Sequence, residues 1–83
     1  MQKLEETPAF VNIFIMFVTW QNNQFKIHED VRGTVMYAKN LPEKILDAQL
    51  SGSQLVVTTP KHTFNFRRIG KTYAFTLYRS FNH

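Results

Sequence analysis

Eighty-three residues, 43% apolar and 19% charged, describe one small folded globule over residues 1–83 and exclude a disordered tail. The chain has no cysteine, which excludes disulfides and thiolate metal sites, so packing alone must stabilise it. The net charge of +4 is uneven: residues 1–47 hold all six carboxylates against five cations, for −1, whereas residues 48–83 carry five cations and no acid, for +5.

Residues 1–8 are largely polar, end in Thr7-Pro8, and read as a mobile arm. Ala9 to Trp20 is the most apolar run. Twelve residues fall short of the ~20 a spanning helix needs. Glu5 and Glu6 offset Lys3 where a signal peptide wants net positive charge, and no small-residue cleavage site follows. The run therefore reads as a buried strand, because its Val, Ile and Phe favour strand over helix. No membrane association is expected, and the lack of cysteine points to the cytoplasm.

Gln21-Asn22-Asn23-Gln24 reads as a turn, since Asn tolerates positive φ. Phe25–His28 alternates as a second strand, Glu29–Gly33 breaks it, and Thr34–Ala38 resumes. Asn40-Leu41-Pro42-Glu43 carries helix-start signals, with proline at the first helical position and Glu43 in the first turn. Ile45, Leu46 and Leu50 would form the apolar face of a helix over 42–51, and Gly52 would end it.

Three strands are expected next, over 54–59, 62–68 and 72–79, with turns at Thr59-Pro60-Lys61-His62 and Arg68-Ile69-Gly70-Lys71. Pairing Thr59 with His62 sets Val57 against Phe64 and Leu55 against Phe66. Pairing Arg67 with Thr72 sets Phe66 against Tyr73 and Phe64 against Phe75. Both registers place Leu55, Val57, Phe64, Phe66, Tyr73 and Phe75 on one face, the predicted core. The opposite face carries Val56, Thr58, Thr63, Asn65, Arg67, Thr72, Ala74 and Thr76, with Lys61 and Tyr78 at one end, free of carboxylates; Arg67, Arg68 and Lys71 would cluster around the second turn. The fold class expected is α+β: an antiparallel sheet of about five to six strands, including this C-terminal meander, with one short helix.

No arrangement of residues carries catalysis. His28, His62 and His83 lack metal spacing, and Gly33, Gly52 and Gly70 are too scattered for a phosphate-cradling loop. Glu43 and Asp47 stand four apart, which on a helix is an exposed pair rather than an acid–base site. A small nuclease using His28 or His62 with an arginine is the one enzymatic arrangement left, and nothing in the sequence requires it. No cofactor is expected.

Lys71, Tyr73, Ala74, Phe75 and Tyr78 fall on positions of the RNA-recognition-motif signature, but Thr72 and Thr76 do not. That family continues from this strand into a helix and a fourth strand, and only five residues follow Tyr78 here, so its residues are not carried over.

The chemistry that remains is a basic, aromatic-rich surface. Lys61, Arg67, Arg68, Lys71 and Arg79, with Tyr78, are the candidate binding residues. Such a surface takes nucleic-acid phosphates, giving a small non-enzymatic nucleic-acid-binding protein. The alternative is a protein-binding inhibitor or adaptor that meets an acidic or nucleic-acid-bound complex, such as a phage- or plasmid-encoded inhibitor of a CRISPR effector. An edge strand of the meander would offer that contact, or a homodimer.

Overall fold

The computed structural model describes residues 16–30 and 32–83. Seven antiparallel strands form two sheets, and there is no helix among the described residues. The first sheet is β1 (Met16–Gln21), β2 (Gln24–Glu29) and β3 (Thr34–Asn40), in that order. The second is β4 (Asp47–Ser51), β5 (Gln54–Thr58), β6 (His62–Arg68) and β7 (Phe75–Asn82), also in chain order. The expected arm at 1–8 and the start of the apolar run lie outside the described residues; the run's end is β1.

The hairpins follow from local chemistry. Asn22 takes a φ of 55° between β1 and β2, a left-handed conformation that asparagine tolerates better than most residues. Gly52, with a φ of 62°, turns the chain from β4 into β5 through the two-residue loop Gly52-Ser53. Thr59 N–H donates to His62 O at 2.8 Å and closes the turn from β5 into β6. The predicted register of that hairpin is the observed one, with Val57 opposite Phe64 and Leu55 opposite Phe66.

The core draws from both sheets. Phe25 and Ile27 of β2 meet Leu55 and Val57 of β5, Phe64 and Phe66 of β6, and Phe75 of β7. The rings of Phe25 and Phe66 stand 5.3 Å apart at 60°, a tilted aromatic contact between the two sheets. β2, β5 and β6 each bury alternate residues, as a strand with one covered face must.

The expected α+β class is overturned: the fold is all-β. The segment read as a helix over 42–51 is a connector followed by β4. Its backbone donors do not point to carbonyls one turn back. Leu41 N–H donates to Asn23 O, Ile45 N–H to Asn22 O and Leu46 N–H to Thr58 O, at 2.7, 2.7 and 2.8 Å. These bonds tie the connector to the β1–β2 turn and to β5. Leu41 and Ile45 are buried by this route, four residues apart without a helix. From Asp47 the burial alternates, and Ala48 and Leu50 pair with Val57 and Leu55. Helix-start signals are a weak prior, and tertiary partners outweigh them here.

The second hairpin of the meander also differs from expectation. β7 starts at Phe75, after the loop 69–74, and sets Phe75 opposite Arg68, Leu77 opposite Phe66 and Ser80 opposite Phe64. Phe75 is buried, but Tyr73 lies in the loop, half-buried, with its hydroxyl donating to Glu29 Oε1 at 2.7 Å.

Candidate functional site

Residues directly opposite each other in an antiparallel pair share a face. The pairings of the second sheet therefore define its outer face as three rows. Ser51, Gln54, Arg67 and Thr76 form one; Gln49, Val56, Asn65 and Arg79 the next; Asp47, Thr58, Thr63 and Phe81 the third. The inner rows hold Ala48, Val57, Phe64 and Ser80, then Leu50, Leu55, Phe66 and Leu77.

A β-bulge decides what β7 contributes. Leu77 stands opposite Phe66 and Arg79 opposite Asn65, so Tyr78 is an extra residue with no partner on β6. Without that residue in the count, alternation would set Arg79 opposite Phe64, facing the core. With it, Arg79 turns to the outer face beside Asn65. Tyr78 lies against Arg67, whose Cζ is 3.9 Å from the ring centroid, a cation–π contact. The Cζ of Arg79 is 5.4 Å from the Tyr78 centroid and 5.8 Å from that of Phe81. Arg79 thus stands within reach of two aromatic rings that remain about half exposed, Tyr78 at 54% and Phe81 at 46%. A shallow groove beside Tyr78 is lined by Gln54, Val56, Asn65 and Arg67.

The sequence-predicted residues divide accordingly. Arg67, Tyr78 and Arg79 come together on the outer face. Lys61 is exposed at the β5–β6 turn, at the end of the same sheet. Lys71 is exposed on the loop 69–74. Arg68, next to Arg67 on a strand without a bulge between them, points the other way: its Nη1 lies 3.3 Å from Met16 Sδ and its Cζ 5.9 Å from the Tyr73 ring. Arg67, Arg68 and Lys71 therefore do not converge on one turn.

Sequence reasoning missed two contributors. His83, which reads as a frayed end, donates its N–H to Lys61 O at 2.9 Å, and its Nε2 lies 2.6 Å from Thr63 Oγ1. It extends the outer face toward Lys61. Among the described residues Asp47 is the one carboxylate in the rows of this face, brought in by β4; it sits on the strand farthest from β7 and accepts a 3.2 Å hydrogen bond from Gln49 Nε2. The strands β5, β6 and β7 carry no acid.

Two other polar clusters are occupied by structural work. His28 stacks on Phe17 at 4.8 Å, with Nδ1 3.0 Å from Gly33 O and Nε2 2.7 Å from Thr19 Oγ1. Its Nδ1 must donate to that carbonyl, so a neutral ring uses Nε2 to accept from the threonine. The second cluster centres on Thr59, which is fully buried. Its hydroxyl donates to Glu43 Oε1 and accepts from His62 N–H at 3.0 Å, while His62 Nδ1 contacts Glu43 Oε2. The threonine proton goes to the carboxylate and not to the histidine, so the trio does not form an activated nucleophile. The hydrogen bond from Thr59, with the His62 contact, holds the Glu43 carboxyl below its ordinary range against a smaller opposing effect of burial. His28 and His62 belong to different sheets and each has its own partners. No group of three or more His, Asp or Glu among the described residues is placed to hold a metal ion. None of the described residues forms a helix long and apolar enough to cross a membrane.

Compared with known proteins, the chain matches no family model, no curated sequence and no solved structure.

Proposed function

We propose that this chain is a non-enzymatic binding protein whose second sheet presents its outer face to nucleic-acid phosphates. The observation that carries the reading is the cluster of Arg67, Tyr78, Arg79 and Phe81 on β6 and β7, two strands that hold no carboxylate. Cations set against aromatic rings on strands without acids attract a polyanion and offer it flat apolar contacts as well. Lys61, at the end of the sheet, extends the positive field, and Lys71 on the loop 69–74 adds to it from the other end. A cytoplasmic location suits this role.

Binding of a labelled oligonucleotide across a salt series tests it. Each cation that meets a phosphate adds about 0.7–0.9 to the slope of log affinity against log salt. The triple variant Lys61→Glu, Arg67→Glu, Arg79→Glu, with its melting checked, is expected to lose binding. Undiminished binding by that variant contradicts the reading.

A second reading rests on β7 itself. Seven of its eight residues are exposed, Leu77, Tyr78 and Phe81 among them, and it is the last strand of its sheet. An edge of this kind pairs with another strand, in an acidic or nucleic-acid-bound protein complex that the chain would inhibit, or in a second copy. Such binding would persist in salt that removes phosphate contacts.

A further inference from the structure

We infer that the nucleic acid taken by this face is single-stranded, with unstacked bases lying on Tyr78 and Phe81 and phosphates on Arg67 and Arg79. The inference rests on the proposed nucleic-acid role and adds the class of ligand.

The first argument is from what a duplex requires. Reading duplex DNA in its major groove takes a helix or a two-stranded ribbon narrow enough to enter about 12 Å. The described residues form no helix, and the cluster lies on the face of a four-stranded sheet. Neighbouring strands lie about 4.8 Å apart, so four of them span more than the groove admits. The cluster reaches inward from β7 to Arg67 on β6 and Val56 on β5, across the face and not along a projecting edge.

The second argument is from the rings. Tyr78 and Phe81 remain about half exposed, although Arg79 stands near both and Arg67 lies against Tyr78. Exposed aromatic faces have no counterpart in a duplex, whose bases are already stacked on each other. They match the free faces of single-strand bases, and arginine beside the ring strengthens that stacking. The bulge that turns Arg79 outward leaves Tyr78 without a strand partner, so the ring is placed by Arg67 and not by a ladder position. Asn65 and Gln54, on the neighbouring strands, supply amides within the same groove for base or sugar edges.

The experiment compares a thymidine homopolymer, its ribo-uridine counterpart and a blunt duplex of equal length, all at low salt. Both single strands are expected to bind at least ~10-fold tighter than the duplex. Tyr78→Ala and Phe81→Ala are each expected to weaken single-strand binding about 5- to 150-fold, the range that one stacked base spans. Tyr78→Leu keeps bulk without a π face and is expected to behave as Tyr78→Ala, whereas Tyr78→Phe is expected to retain binding. Equal affinity for duplex and single strand, or a Tyr78→Leu variant that binds as wild type, overturns the inference while leaving phosphate binding standing. Failure of all three nucleic acids to bind overturns the phosphate reading as well and favours a protein partner.

Discussion

Thr59 is fully buried and polar, and its hydroxyl joins three parts of the chain: the connector through Glu43, the turn after β5, and the start of β6 through His62. Replacing Thr59 by valine keeps the shape and removes the hydroxyl, which is expected to cost about 1–3 kcal/mol because partners are left unsatisfied. Chemical denaturation checks this. The same cluster makes stability depend on pH. Glu43 has its carboxyl pKa lowered from 4.5, chiefly by the Thr59 hydrogen bond, so the unfolded chain binds its proton more readily than the folded one. Its contribution is complete above 4.5 and is lost as pH falls through the lower folded value. The stability gap between wild type and Glu43→Gln is therefore expected to close on acidification below 4.5. A gap that stays constant would show that Glu43 is not held in this way. Tyr73 works in the opposite sense. Its hydrogen bond to Glu29 raises the phenol pKa above 10.0, so its contribution is present below 10.0 and lost as pH rises through the folded value. Tyr73→Phe is expected to melt at a lower temperature than wild type at neutral pH, with the difference shrinking in strong alkali.

At the scale of elements, the β5–β6 hairpin was legible because Leu55, Val57, Phe64 and Phe66 alternate on both sides of a proline turn, and a slip would have scattered them. The β6–β7 hairpin was not. Its loop runs over 69–74, longer than a tight turn, and the irregularity between Asn65 and Phe66 shifts every later pairing. Nothing in the residues of β7 marks Tyr78 as the extra one. The cluster of Arg67, Tyr78 and Arg79 was therefore readable as composition but not as geometry. The missing helix has a similar cause: Leu41 and Ile45 carry helical spacing and proper start signals, and their partners in the β1–β2 turn lie about twenty residues away. Phe66 tests the packing that results. It is 2% exposed, meets Phe25 of the other sheet, and faces Leu77 across the hairpin. Phe66→Ala is expected to cost about 3–5 kcal/mol in denaturant unfolding. Cross-strand proton contacts in NMR are expected between Phe66 and Leu77, and contacts between Phe66 and Tyr73 backbones would restore the register that the sequence suggested.

For the whole molecule, charge and fold act together. The acid-free stretch 48–83 becomes most of β4 and all of β5, β6 and β7, and pairing in chain order lays these strands side by side as one face. The positive stretch of the chain thus places Arg67 and Arg79 together on one surface. Among the carboxylates of the described residues, Glu29 is tied to Tyr73 and Glu43 to Thr59 and His62, while Asp47 shares this face at the strand farthest from β7, beside Gln49. The most direct test is to titrate isotope-labelled protein with a short thymidine oligonucleotide and follow backbone and side-chain NMR shifts. The largest shifts are expected at Gln54, Val56, Asn65, Arg67, Tyr78 and Arg79, with the outer face of the first sheet, at Lys26 and Val35, unmoved. Shifts centred on β1–β3, or no shifts at oligonucleotide excess, would contradict the assignment of function to the outer face of the second sheet.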